Sequence, residues 1–350
     1  MPRRGGPISR TSILAPALLT GLLASPALAF DLQGHRGARG LAPENTLPAF
    51  AAALAIGVTT LELDLGLTAD GVPLVSHDAR LNPDLARDAT GAWLAGPGPF
   101  LRTRTVAELK AYDVGRARPG SRIAERFPDQ RPVDGTCLPT LNDVFDLVRR
   151  AGNEAVRFNV ETKIRPTAPE APEAPATTAA PEEFAAALVD TLRREGMAAR
   201  STIQSFDWRT LRAARRLAPE IATVCLTAEQ DWLNNVRPPD GAPGAWTDGL
   251  DIAQHGGSVP RLAKAAGCAV WSPFHRDLTR ARLAEARQLG LDVVVWTVND
   301  AGRMAALIEM GVDGIISDRP DILRGVMADR GMALPAATPV SVPQGAACPR

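Results

Sequence analysis

Seven residues that can carry ionic chemistry stand within or just beyond short apolar runs in the first half of this 350-residue chain: His35, Arg36, Glu62, Asp64, His77, Glu161 and Lys163. In Thr60-Leu61-Glu62-Leu63-Asp64-Leu65 the acids alternate with leucines. Residues two apart in a strand share a face, so Glu62 and Asp64 point the same way. Asn159-Val160-Glu161-Thr162-Lys163 repeats the alternation and puts Asn159, Glu161 and Lys163 on one face. Carboxylates gathered in one place repel one another unless they are protonated or hold a cation. Oxygen donors alone suit Mg²⁺ or Ca²⁺ better than a thiolate-seeking metal. His35 ends the run Asp31–Gly34 and His77 follows Val72–Ser76; two histidines beside an acidic cluster are the types a general acid/base pair requires. Arg36 and Lys163 supply the cationic donors that a phosphate takes, and they also balance the acids. His255 and His275, in loop-like sequence, are expected to be structural or substrate-facing.

For these residues to meet, the elements that carry them must converge. Apolar runs at Asp31–Gly34, Thr60–Leu65, Val156–Glu161, Thr202–Gln204, Ala222–Leu226, Ala269–Trp271, Val293–Thr297 and Gly314–Ile316 read as strands. Helical patterns fall between most of them, among them Thr46–Ile56, Thr140–Ala151, Pro181–Glu195, Asp207–Leu217, Thr279–Leu289 and Ala301–Met310. Eight strands alternating with helices predict an α/β fold, a (β/α)8 TIM barrel whose strand tops share one pocket. An open doubly wound sheet is the alternative, but no GxGxxG follows the first strand. The stretch 78–153, rich in Gly, Pro and Arg, exceeds usual loop lengths and is expected to form an insertion near the mouth. Residues 165–181, where Pro, Ala, Glu and Thr alternate, read as an extended surface loop. The Pro/Ala/Val-rich tail, 331–350, is expected to be flexible and outside the barrel.

The 39 basic and 39 acidic residues balance, which advertises no nucleic-acid surface. Residues 1–29 combine Arg3, Arg4 and Arg10 with the apolar stretch Ile13–Ala24 and end in Ala27-Leu28-Ala29. Those are the parts of a secretory signal peptide, with cleavage expected after Ala29 and a periplasmic or secreted product. The apolar stretch is shorter than the roughly 20 residues that span a bilayer, so stable membrane insertion is not expected. None of the four cysteines forms a CxxC pair, which argues against structural zinc. Cys225 and Cys268, in apolar runs, are expected as buried thiols, whereas Cys137 and Cys348 lie in loop-like sequence where they could pair.

Taken in order, His35-Arg36-Gly37, Pro43-Glu44-Asn45-Thr46, Glu62-Leu63-Asp64, Ser76-His77-Asp78, Asn159–Lys163, Gln204-Ser205-Phe206, Trp296–Asn299 and Gly314–Pro320 resemble the motifs of the glycerophosphodiester phosphodiesterases, in the bacterial secreted form. Each motif alone is weak; the ordered set covers nearly the whole chain after the leader. The resemblance implies hydrolysis of a small-molecule glycerophosphodiester to glycerol 3-phosphate and an alcohol, with one divalent cation, Ca²⁺ or Mg²⁺. It makes Glu62, Asp64 and Glu161 metal ligands and His35 and His77 the acid/base pair. Arg36 and Lys163 become phosphate contacts. Glu44 becomes a brace for His35 or Arg36 or an outer metal group, and Trp296 packs beside the substrate or in the core. A phospholipase D-like enzyme acting on lysolipids or lipids is the rival reading, disfavoured by the scarcity of aromatic residues. A serine hydrolase is disfavoured because no GxSxG elbow occurs.

Overall fold

The computed structural model describes residues 1–2, 5–6, 30–165, 177–237 and 244–342. Most of the expected signal peptide, the centre of the 165–181 loop and Cys348 lie outside the described residues. Eight parallel strands close into a barrel: β1 (Asp31–Gly34), β2 (Thr60–Leu67), β4 (Arg157–Thr162), β5 (Ser201–Ser205), β6 (Ala222–Thr227), β9 (Val270–Pro273), β10 (Asp292–Val295) and β11 (Gly314–Ser317). The order is β1-β11-β10-β9-β6-β5-β4-β2, and pairing of Gln33 with Thr60 joins β2 back to β1. Three short strands lie outside the barrel: β3 (Pro73–Val75), antiparallel to β2, and the hairpin β7 (Glu229–Gln230) and β8 (Leu233–Asn234). Runs of two or three residues carry too little periodicity to be read from sequence.

Alternation along the strands sorts the side chains. Leu61, Leu63 and Leu65 of β2 and Phe158 and Val160 of β4 are buried against the helices. The helix Leu141–Arg150 shows how that layer is built. Thr140 and Asp143 close a capping box at its start, and Leu141, Val144, Phe145 and Val148 form one buried face. Phe145 meets Phe158 edge-on at 4.8 Å. The opposite faces of the strands fill the barrel with polar groups. Asn159 Nδ2 donates to Gln33 Oε1 (2.9 Å) and Gln204 Oε1 (3.0 Å), Thr202 Oγ1 donates to Asn159 Oδ1 (2.9 Å), and Gln204 Nε2 donates to Glu62 Oε1 (2.7 Å). Buried polar groups are tolerable only when partnered, and this ladder supplies partners from four strands.

Between β3 and the helix Leu141–Arg150, Leu81, Ala86, Leu101, Leu109, Val114 and Leu138 pack with Leu74 into a small second core. Arg87 ties that segment together through Asp113 and Asp134. The described part of the tail, to residue 342, runs along the end of the barrel where the strands begin. There Thr338 N donates to Leu54 O (2.9 Å), and Arg324 reaches Pro335 O (2.7 Å).

One cysteine expectation is overturned: Cys225 and Cys268 form a disulfide. Strand β9 runs beside β6, pairing Trp271 with Cys225, and brings the Cα atoms of Cys225 and Cys268 to 5.8 Å. Neighbouring strands far apart in sequence are invisible to local pattern, which is why burial suggested thiols. The bridge closes a loop of 43 residues. In the chain-entropy limit such a loop is worth about 4 kcal/mol. Denaturant unfolding with and without reductant is expected to show a loss approaching that size, and equal midpoints would refute it.

Candidate active site

The site begins at the glycine-rich turn after β1. Gly37 takes a φ of +85°, and a Cβ there would lie 2.5 Å from the backbone of Ala49, so only glycine lets the turn press against α1 (Leu47–Ile56). Arg36 (φ +50°) and Asn45 (φ +56°) sit in the left-handed region that non-glycine residues avoid. Such strain persists where surrounding contacts over-determine it, and both residues have those contacts. Arg36 N donates to Glu62 Oε2 (2.8 Å), while its guanidinium meets Asp64 Oδ2 (3.0 Å) and Glu44 Oε1 (2.6 Å). Thr46 caps α1 by accepting from Ala49 N (3.3 Å). Asn45 is thereby free to clamp Asp64: its Nδ2 donates to Asp64 Oδ2 (2.9 Å) and its Oδ1 accepts from Asp64 N (3.3 Å).

Register does the rest. Asp64 pairs with Glu161 across β2 and β4, and Glu62 stands two residues below Asp64 on the same face. One oxygen from each of Glu62, Asp64 and Glu161 falls within 4.8 Å of the others, and all three residues are buried. Burial, then Asp64 and Glu161, push the Glu62 carboxyl well above its ordinary range. Burial also raises Glu161, to about 7, against the pull of Lys163. Asp64 is held well below its ordinary value because Arg36 and Lys163 outweigh its own burial. Asp64 Oδ1 is buried without a hydrogen-bond partner. Three mutually repelling oxygen donors, one of them orphaned, fit a hard divalent cation. Lys163 Nζ flanks the cluster, 2.7 Å from Glu161 Oε1 and 3.7 Å from Asp64 Oδ1.

The two histidines have matching supports. His35 Nδ1 lies 2.5 Å from Asp318 Oδ1, and Asn299 Nδ2 donates to Asp318 Oδ2 (2.7 Å). Asp318, though buried, is held far below its ordinary value by His35 and Arg39, so it is an anion and only accepts. The proton of the neutral ring is therefore on Nδ1, leaving Nε2 as base, 3.9 Å from Glu62 Oε2. His77 Nδ1 likewise lies 2.8 Å from Asp78 Oδ1, and Asn82 Nδ2 donates to Asp78 Oδ2 (2.8 Å). Burial opposes ionisation of Asp78, but those two hydrogen bonds bring it down to about 2. Burial and then Arg36 lower His77 to about 4, so its Nε2 too is unprotonated at neutral pH.

Two residues take more limited places than the site chemistry might suggest. Glu44 turns its carboxylate to Arg36 and, at 2.8 Å, to Arg39, whose guanidinium stacks 4.6 Å over Phe127. Trp296 stands at the mouth with its Nε1 donating to Ser272 O (2.9 Å). His275 is engaged by Arg303 through ring and carbonyl, and His255 ends a 3₁₀ turn, Ile252–His255. The sequence pointed to no role for Asp318, Asp78, Asn299 or Gln204, and offered Asn45 only as a candidate cap of α1 beside Thr46. Asp78 and Asn45 adjoin residues that were singled out, whereas Asp318 and His35 are 283 positions apart.

Comparison with known proteins shows the family and the fold. Residues 35–322 match the profile of the glycerophosphoryl diester phosphodiesterase family. A glycerophosphodiester phosphodiesterase of Caldanaerobacter subterraneus subsp. tengcongensis is 25% identical over 301 residues, 85% of this chain and 97% of that protein. The crystal structure of a Silicibacter pomeroyi DSS-3 protein assigned as a glycerophosphoryl diester phosphodiesterase superposes with a TM-score of 0.74. It is 34% identical and covers 88% of this chain and 96% of its own. The Oleispira antarctica phosphodiesterase OLEI02445, solved with sn-glycerol-3-phosphate, shares the fold with a TM-score of 0.59 and 23% identity, over 85% of this chain and 96% of its own.

Proposed function

This chain belongs to the glycerophosphoryl diester phosphodiesterase family, and we propose that it hydrolyses glycerophosphodiesters such as glycerophosphocholine or glycerophosphoethanolamine to glycerol 3-phosphate and an alcohol. The observation that carries this reading is the buried triad Glu62, Asp64 and Glu161 beside two histidines, each tied at Nδ1 to a carboxylate. The triad would hold one divalent cation, Ca²⁺ or Mg²⁺, which when bound supplies charge neutralisation to the phosphate oxygens. Arg36 and Lys163, already fixed against the triad, offer N–H donors to the same phosphate. Asp318 and Asp78 orient the rings so that Nε2 does the proton transfer and stabilise each imidazolium that forms. One histidine accepts the proton of the attacking oxygen at Nε2; the other acts as acid only after its own Nε2 has taken up a proton from solvent, which it then gives to the departing alkoxide.

The test is release of glycerol 3-phosphate from glycerophosphocholine, before and after EDTA, with Ca²⁺ or Mg²⁺ added back. Chelation is expected to abolish release and the cation to restore it; full activity after complete chelation would remove the triad from the metal. Cleavage of lysolipids with no turnover of any short diester would favour the lipid substrate instead. We further place the enzyme outside the cytoplasm. The leader 1–29 and the Cys225–Cys268 bridge, which persists best in an oxidising compartment, support this. Mass spectrometry of the periplasmic or secreted fraction is expected to find a chain starting at Phe30, and an intact Met1 terminus would refute cleavage.

A further inference from the structure

The charged groups occupy one side of the barrel mouth, on β1, β2 and β4; the other side is aromatic. Phe206 follows β5, Trp232 sits at the turn of the β7–β8 hairpin after β6, Phe274 follows β9 and Trp296 follows β10. These strands are consecutive around the barrel. The rings touch: Phe206 to Trp296 at 5.2 Å, Trp296 to Phe274 at 5.4 Å, and Trp232 to Phe274 and Trp296 at 5.5 and 6.1 Å. Phe206 also reaches the charged side, with Lys163 Nζ 5.9 Å from its ring centre. The chain holds only 16 aromatic residues of Phe, Trp and Tyr (9, 6 and 1), so four at one rim are a concentration. Trp232 is 61% exposed and is the only exposed aromatic among the large hydrophobic side chains of the described residues.

Those ring contacts leave most of the Trp232 surface exposed, and its hairpin is fastened by other groups. Glu229 is ion-paired with Arg237 and Arg282, Glu229 N donates to Asp277 Oδ2 (2.8 Å), and Gln230 Nε2 donates to Asp277 Oδ1 (2.5 Å). The indole thus stands out over the mouth on a hairpin tied to Asp277 and Arg282. We propose that this aromatic wall is the subsite for the alcohol half of the diester, selective for an alcohol bearing a quaternary ammonium group, with Trp232 as the specificity-determining residue; this rests on the phosphodiesterase reading above. The glycerol half carries hydroxyls that need hydrogen-bond partners, which ring faces supply poorly. A tetraalkylammonium group donates no hydrogen bond and is drawn to the negative faces of aromatic rings, Trp above all. A long acyl chain would need apolar surface beyond the rings, yet the residues flanking Trp232 include Glu229, Gln230, Asp231 and Asn234.

The test compares three diesters that share the glycerophosphoryl group and differ in the alcohol: choline, its uncharged isostere 3,3-dimethylbutanol, and glycerol. The wild-type enzyme is expected to favour choline over the isostere in kcat/KM, chiefly through KM. Trp232→Ala is expected to lose on the order of 10-fold with choline only, with Trp232→Phe restoring part of it. Equal losses on all three diesters, or an isostere as good as choline, would overturn the proposal. Tryptophan fluorescence titrated with tetramethylammonium reads the subsite without turnover. Saturable quenching in the wild type that Trp232→Ala abolishes supports the subsite even if no diester is cleaved, an outcome that would sink only the reaction. Unchanged quenching in Trp232→Ala overturns the subsite alone.

Discussion

Asp64→Asn is expected to lower turnover of glycerophosphocholine by about a thousandfold or more and to abolish the stabilisation of the protein by Ca²⁺ or Mg²⁺. Asp64 is the acid that the protein keeps ionised: Arg36 and Lys163 hold it low against its burial, while burial first and the neighbouring acids second hold Glu62 and Glu161 high. Its Oδ2 is taken by Asn45 and Arg36, and its Oδ1 is buried with no hydrogen bond and only a 3.7 Å ion pair to Lys163, a requirement that a cation would meet. An asparagine can keep an oxygen toward Asn45 and Arg36, but its amide then places N–H donors where the free oxygen was. That orientation repels a cation and adds to the positive charge of Lys163. Binding to the native state alone stabilises by RT ln(1 + [L]/Kd), about 2.7 kcal/mol at a hundredfold excess over Kd. Thermal melts across a cation titration therefore report the site independently of activity. A variant still stabilised by cation as strongly as the wild type would show that Asp64 is no ligand. The substitution also removes one of two anionic partners from buried Arg36, so a modest loss of metal-free stability is expected, with Glu44 limiting it.

The second large effect concerns His35. His35→Ala is expected to cost about 10² to 10⁴ in kcat, the usual contribution of a positioned acid or base. Asp318→Asn is expected to cost less, about 10- to 100-fold, because Asp318 acts through His35: it fixes the proton on Nδ1 and favours the imidazolium. The double variant should be no slower than His35→Ala alone, since without the imidazole the carboxylate has nothing to orient. Independent, multiplicative losses would show that Asp318 has a role of its own. The pH dependence separates the residues further. Asp318→Asn should lower the His35 pKa, moving any limb of the kcat/KM profile that belongs to His35 toward acid. A profile with no displacement would argue that Asp318 is merely structural.

What was legible in the sequence follows from local periodicity. The alternation in Thr60–Leu65 and Asn159–Lys163 assigns acids to one face and leucines to the other, and both strands carry them so. The βα rhythm predicts the barrel, and the barrel closes. Strand ends were less legible: Val293–Thr297 stops at Val295, freeing Trp296 for the mouth. The Asn45 side chain was equally open, since an Asn-Thr pair before a helix offers two caps and only a neighbouring strand needing Asn45 decides between them.

Which residue types face inward, how many units repeat and the chemical class of the donors can all be read from spacings of a few residues. The fold alone brings Asp318, just past the last strand, to His35 after the first, joins Cys225 to Cys268, and gathers four dispersed aromatic residues at one rim. Closure of the barrel explains this. A barrel makes neighbours of strands by hydrogen-bond register, and the last strand lies against the first whatever length of chain separates them.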